Sequence, residues 1–189
     1  MKRKKKILSI LFFMVLYCLT VFGACGYEKE SDVTDDIGNL GEFSMQDLEG
    51  NIYTQDMFAD YDLTMVNVFT TWCSPCINEI PDLEKIKNEM SSQGVNVVGI
   101  VLDAVDTNGN VIQETIEAAE LLAEKTGVAY PFLIPDAGYL NGRLSGINAV
   151  PETFFVDKDG NIVGDTYSGS RTFEEWKSVI ETELKEVTE

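Results

Sequence analysis

Leu63-Thr64-Met65-Val66-Asn67-Val68-Phe69-Thr70-Thr71-Trp72-Cys73-Ser74-Pro75-Cys76 is the stretch whose reading decides the fold. A strand-like apolar run, Leu63 to Phe69, gives way to a helical pattern, and two cysteines three positions apart sit at the junction. A thiol is nucleophilic only when ionised, and the free amides and partial positive charge of a helix start lower its pKa. Pro75 suits the first helical turn, where no amide hydrogen is needed. Two plainer readings compete: a structural disulfide, or half of a zinc site. Zinc takes four ligands, and this chain has no histidine and no second CxxC. Of its four cysteines, Cys18 lies inside an N-terminal apolar run and Cys25 just after it, so the folded part retains only Cys73 and Cys76. The pair therefore reads as redox-active, with Cys73 as the reactive thiolate and Cys76 as the thiol that resolves it.

The N-terminus carries Lys2, Arg3, Lys4, Lys5 and Lys6, then an almost uninterrupted apolar segment from Ile7 to Phe22, then Gly23-Ala24-Cys25-Gly26. A charged region, a hydrophobic core and small residues before a cleavage point make an export signal over residues 1–24. Small residues followed by cysteine resemble a bacterial lipoprotein signal, in which Cys25 would carry the lipid; an uncleaved anchor and plain secretion are the alternatives. All three place the domain outside the cytoplasm, where disulfide chemistry is favoured. Residues 25–40 are short on large apolar residues and rich in acid (Glu28, Glu30, Asp32, Asp35, Asp36), as expected of a solvated tether. Residues 41–189 suit one domain with a real core, and no internal repeat stands out.

Removing the first 24 residues takes away five of the 14 Lys+Arg and none of the 32 Asp+Glu, which moves the net charge from −18 to −23. Nucleic acid and bare anionic lipid are poor partners for such a surface. The acidity is read as serving solubility rather than a specific basic partner.

Along the domain, Phe43 to Tyr53 reads as a hairpin turning at Glu49-Gly50-Asn51, Leu63 to Phe69 as a buried strand, and Ser74 to Ser92 as a helix. Val95 to Leu102 is a second apolar strand, and Val111 to Lys125, closed by Gly127, a second helix. Phe132-Leu133-Ile134 is a short strand, Thr153 to Val156 pairs with Asn161 to Tyr167 through Asp157-Lys158-Asp159-Gly160, and Thr172 to Glu186 is the last helix. This order predicts an α/β fold with a central mixed sheet and helices on both faces. Pro81 falls inside the first helix and predicts a kink, with Ile77, Ile80, Leu83 and Ile86 as the core face. Trp176, in register with Phe173, Val179, Ile180 and Leu184, reads as core, and Trp72 as a surface apolar contact beside the cysteines.

Together, Trp72-Cys73-x-Pro75-Cys76, Pro81 eight residues past Cys73, and Val150-Pro151 before the final hairpin resemble the thioredoxin fold, a three-layer sandwich. The extra N-terminal hairpin, the helical insert at Val111 to Lys125, and the run Val150-Pro151-Glu152-Thr153-Phe154-Phe155-Val156-Asp157-Lys158-Asp159-Gly160 are more similar to the membrane-anchored TlpA/ResA group of thiol-disulfide oxidoreductases. That resemblance covers nearly all of the chain after the tether. It implies that Pro151 is cis and lies against Cys73, with the Val150 backbone turned out to pair with a substrate segment; the alternative is an ordinary trans turn proline. Glu152 departs from the small hydroxyl residue that many relatives carry after this proline.

Asn67, six residues before Cys73, stands where cytoplasmic thioredoxins have a buried aspartate, and an amide cannot titrate. Glu79, one helical turn beyond Cys76 and on the same face, matches a glutamate common in the TlpA/ResA group. Partly buried, it would have a raised pKa and could take the proton from Cys76; exposed, it would be only an acid in a first helical turn.

The expected chemistry is thiol-disulfide exchange with a disulfide-containing protein substrate, without metal or other cofactor. The resemblance implies a reductant recharged by a membrane thiol carrier and held at the outer face of the membrane by an N-terminal lipid or anchor. A disulfide-introducing oxidase of the same fold would use the same residues. Thr70-x-x-Cys73 hints at a peroxiredoxin-like peroxidase, which also wants a proline before the threonine and an arginine at the thiolate; position 69 is Phe, and only Arg143 and Arg171 are available. A copper-delivery module would need a histidine, and Ile77 after Cys76 breaks the haem-attachment pattern CxxCH.

Overall fold

The computed structural model describes residues 38–189; the stretch read as an export signal, Cys25 and nearly all of the stretch read as a tether lie outside the described residues. Ten regular elements follow in order: β1 (Ser44–Asp47), β2 (Ile52–Thr54), β3 (Leu63–Phe69), α1 (Ser74–Met90), β4 (Val95–Val101), α2 (Gln113–Thr126), β5 (Phe132–Ile134), β6 (Glu152–Asp157), β7 (Ile162–Ser168) and α3 (Phe173–Thr188). They form one seven-stranded mixed sheet in the order β2-β1-β5-β4-β3-β6-β7. β3 pairs parallel with β4, and β4 with β5, while every other pairing is antiparallel. All seven residues of β3 and of β4 are buried, which suits strands covered on both faces.

Side chains leave the sheet alternately. Leu63, Met65 and Phe69 enter one cluster with residues of all three helices, including Ile80, Leu83 and Ile86 of α1, Ile116 and Leu122 of α2, and Trp176 and Ile180 of α3. Val66 and Val68 enter a second cluster with Leu40, Phe43, Phe58, Leu140 and Leu144. The three-layer build is as the sequence predicts, but its second layer differs. The three α-helices share one face, and the other is closed by the chain before β1, a 3-10 turn at Gln55–Phe58 and the loop between β5 and β6. In that loop Tyr139, Leu140 and Asn141 all have left-handed φ, so it cannot continue as a right-handed helix. Pro81 sits inside α1 without ending it.

Residues 38–40, read from sequence as tether, belong to the domain. Leu40 is buried, its amide bonds to Gly160 O at 2.8 Å, and the Ile162 amide bonds to Gly38 O at 2.9 Å. A five-residue turn, Asp-x-x-Gly-Asn, recurs at Asp47–Asn51, Asp106–Asn110 and Asp157–Asn161. In each, one aspartate oxygen accepts the amides two and four residues on, and the other accepts the asparagine side chain. The glycine takes positive φ at +86°, +78° and +81° in turn, which a side chain would oppose.

Gly99 in β4 lies between Phe69 and Phe132, whose rings meet edge to face at 4.8 Å. A Cβ there would stand 2.8 Å from Phe132 and 3.1 Å from Phe69. Gly99→Ala is expected to lower stability by about 1–3 kcal/mol through overpacking, read as a shift in the urea-unfolding midpoint without a change in slope.

Candidate active site

The sheet register assembles the site. β6 runs antiparallel to β3, with Asn67 opposite Thr153 and Val68 opposite Glu152, so the start of β6 meets the end of β3 where α1 begins. The Val150–Pro151 bond is cis, and Val150 O lies 3.7 Å from Cys73 Sγ. Cys73 is the N-cap of α1, extended at φ −81° and ψ 100°, and its sulfur accepts the Cys76 amide at 3.3 Å. That amide and the helix dipole would stabilise a thiolate at the same atom. Cys73 and Cys76 are joined as a disulfide with Cα atoms 5.3 Å apart. Pro75 occupies the first turn of α1.

A groove of about 410 Å³ opens beside Cys73, lined by Thr70, Trp72, Pro75, Leu102, Ile147 and Val150 among others. Trp72 is 72% exposed on its rim. Cys73 is 5% exposed, and Cys76 is fully buried behind it. The turn leading to Cys73 is pinned by Asp103, whose carboxylate accepts the Thr71 amide at 3.1 and 3.2 Å and the Thr71 hydroxyl at 2.7 Å.

Glu79 is 3% exposed. Its Oε1 accepts Asn67 Nδ2 at 2.9 Å, and its Oε2 accepts the Arg171 amide at 3.0 Å and Trp176 Nε1 at 3.2 Å. Burial pushes the Glu79 carboxyl above its ordinary range, against the opposing pull of the Arg171 amide, Trp176, Asn67 and the Arg171 charge. Asn67 also donates to Thr153 Oγ1 at 3.0 Å, while its own Oδ1 is buried without a partner. The other perturbed groups nearby hold their protons. Tyr130 is pushed well above the tyrosine range by burial and by Glu79 and Glu84, and Tyr167 up to about 12 by burial and its bond to Glu183.

Of the residues singled out from sequence, Cys73, Cys76, Trp72, Pro75, Val150, Pro151, Asn67 and Glu79 converge here, and Cys25 lies outside the described residues. The sequence reading missed Asp103, Arg171, Thr153 and the hydrogen-bonding half of Trp176, which it took as core alone. Trp176 is indeed fully buried, and the helical spacing that placed it there says nothing about where its indole N–H points.

The AhpC/TSA family matches residues 38–164, two-thirds of the sequence. The chain belongs to the AhpC/TSA family. Among relatives, it is 26% identical over 185 residues to the thiol-disulfide oxidoreductase ResA of Bacillus thuringiensis, covering 94% of this chain and 96% of that one. It is 31% identical over 135 residues to the thiol:disulfide interchange protein DsbE of Vibrio cholerae, covering 67% of this chain and 64% of the other. A solved thiol:disulfide interchange protein of the thioredoxin family from Chlorobium tepidum superposes with a TM-score of 0.61 at 25% identity, over 76% of this chain and 93% of its own. The fold is thioredoxin-like, and within the AhpC/TSA family this member is a thiol-disulfide oxidoreductase. An enzyme of that class takes a disulfide-bearing substrate and needs a redox partner to reset it.

The buried carboxyl gives a pH signature. A Glu79 pKa raised from 4.5 means the folded state binds its proton more tightly than the unfolded chain. Its contribution is complete below pH 4.5 and declines as pH rises to the folded-state pKa. Across that window, oxidised wild type is expected to lose stability relative to Glu79→Gln, measured by urea unfolding at a series of pH values.

Proposed function

We propose that this enzyme is an extracytoplasmic reductase of protein disulfides that cycles Cys73 and Cys76 between dithiol and disulfide. One observation carries the reading: Cys73 lies at a groove beside Val150 O and the exposed Trp72, while Cys76 is buried behind it, one helical turn from a buried carboxyl. The Cys73 thiolate attacks one sulfur of the target disulfide and displaces the other as a thiolate, which takes a proton from solvent. The Cys76 thiol then gives its proton to the Glu79 carboxylate, and the resulting thiolate attacks Cys73. The second target sulfur leaves as a thiolate and takes up the proton held by Glu79, so the target departs fully reduced, Glu79 returns to its carboxylate and Cys73–Cys76 is left oxidised. A dithiol carrier at the membrane then gives up two electrons and two protons, one proton staying on Cys76 and the other passing to solvent, which restores the Cys73 thiolate and the Cys76 thiol.

Asn67 suits either charge state of Glu79. In the orientation seen, its amide hydrogens face the carboxylate. Turned about, the unpartnered Oδ1 would accept a hydrogen bond from the protonated acid. A peroxidase would want a guanidinium at Cys73. Arg143 is paired with Glu152, and the Arg171 guanidinium stacks over Tyr167 and Trp176 and bonds to backbone carbonyls.

The location rests on the export-signal pattern of residues 1–24, with Cys25 as the lipid-bearing residue and the acidic tether after it holding the domain off the membrane. No helix among the described residues is long and apolar enough to cross a membrane.

In the native host, Cys76→Ala is expected to trap a mixed disulfide on Cys73, with the captured protein identified by mass spectrometry; adducts equally abundant on a Cys73→Ser control would refute the assignment. Glu79→Gln should slow resolution by about a hundredfold while leaving the first attack nearly unchanged, as stopped-flow traces of the two steps would show. The Cys73–Cys76 couple should equilibrate near the thioredoxin value of about −270 mV, and a value near −120 mV would make the enzyme an oxidant.

A further inference from the structure

We infer that Arg143 and Glu152 form a clasp that fixes the substrate-facing wall of the groove and are positioning residues for exchange with a polypeptide disulfide. The inference rests on the groove beside Cys73 being the substrate site. Ile147, Asn148, Ala149 and Val150 line that groove. Among the described residues, no backbone-to-backbone hydrogen bond involves residues 146–150. Unpaired backbone leaves this wall free to bond an incoming extended segment, but it also leaves the wall without a ladder to hold its shape.

The two ends of the loop supply what the middle lacks. Arg143 Nη1 and Glu152 Oε1 meet at 2.9 Å across nine positions of sequence, with side chains 14% and 17% exposed. Glu152 is a fixed anchor, because its backbone pairs with Val68 of β3 on one side and Ser168 of β7 on the other. Arg143 is held flat, with its guanidinium carbon 4.0 Å from the centre of the Phe154 ring and Nη2 3.4 Å from Thr166 Oγ1. On its own side of the loop, the Leu144 amide bonds to Tyr139 O at 3.1 Å and the Ser145 amide to Gly142 O at 2.8 Å. The ion pair therefore ties a turn on the second face of the sheet to the strand that begins beside Cys73. An ion pair this sheltered is screened little by solvent, and the planar guanidinium, bonded to Glu152 through Nη1 and to Thr166 through Nη2, fixes direction as well as distance. A small side chain at position 152 would leave Arg143 without a charge partner and the wall hinged at both ends.

The test compares two substrates for the full-length enzyme recharged by dithiothreitol: a disulfide-bonded peptide, which must lie along the wall, and a small aromatic disulfide, which need only reach Cys73. The readout is the ratio of kcat/KM for peptide to kcat/KM for the small disulfide. Glu152→Gln and Arg143→Glu are each expected to lower the ratio about tenfold, mainly through KM, and the charge-reversed double variant Arg143→Glu with Glu152→Arg to recover most of it. Thermal unfolding is recorded for each variant, and if Glu152→Gln does not fold, Arg143→Lys, which keeps the charge and loses the fork, carries the same comparison. Ratios within about twofold of wild type, or a double variant as impaired as the sum of its singles, overturn the clasp while leaving the enzyme's activity in place. A wild-type enzyme that exchanges with neither substrate overturns the reading of the site as well.

Discussion

The antiparallel pairing of β6 with β3 is the constraint on which everything else depends. It joins residues 86 positions apart at Asn67 and Thr153 and makes the start of one strand and the end of another share a single edge of the molecule. α1 can begin only where β3 stops, and the loop carrying Val150 and Pro151 can enter only where β6 starts. The reactive sulfur, the groove wall and the carboxyl behind them are thus consequences of one register. A slip of one residue would turn Thr153 away from Asn67 and put Phe154 in its place, because side chains alternate across a strand.

α3 completes the site from the other side. Its first turn and the residue before its cap supply Trp176 and the Arg171 amide to Glu79, and its last turns carry a second buried carboxylate, Glu183. The two acids are accommodated differently. Glu183 accepts the Tyr167 hydroxyl at 2.6 Å and lies against Gly164, where φ is +62° and any side chain would collide with the carboxylate. Glu79 is surrounded by donors that only partly offset its burial. Tyr167 and Trp176 touch edge to face, with ring centres 5.9 Å apart, so both carboxylates lean on one aromatic pair.

Much of this was legible in the sequence. Leu63 to Phe69 and Val95 to Leu102 are predominantly apolar, interrupted only by Thr64, Asn67 and Asn96 as polar residues, and such runs bounded by turns become central strands with little ambiguity. The cysteine spacing at a strand-to-helix junction pointed to the chemistry, and Glu79 stood out by its offset from Cys76. Less legible was anything set by distant partners. Local periodicity shows that α2 has an apolar stripe but not which face of the sheet it covers, and β5 is too short to reveal that it inserts between β1 and β4. Sequence alone extends the tether through Leu40 because one apolar residue among polar ones carries no pattern; it is buried in the second cluster, beside Phe43, Phe58 and Leu140, and its amide is held by Gly160 in the β6–β7 turn, 120 positions away. The Arg143–Glu152 pair was invisible for the same reason, since nothing in a charge pattern links a loop residue to the strand it closes upon.

The chain has two tryptophans, and the fold gives them opposite surroundings. Trp72 stands in water next to a disulfide, a strong quencher of indole fluorescence, while Trp176 is sealed from solvent and bonded to an ionisable oxygen. Opening the disulfide should therefore brighten a red-shifted emission band, and a change of charge on the buried acid should move a blue-shifted one. The molecule carries separate optical reporters for its electrons and its proton.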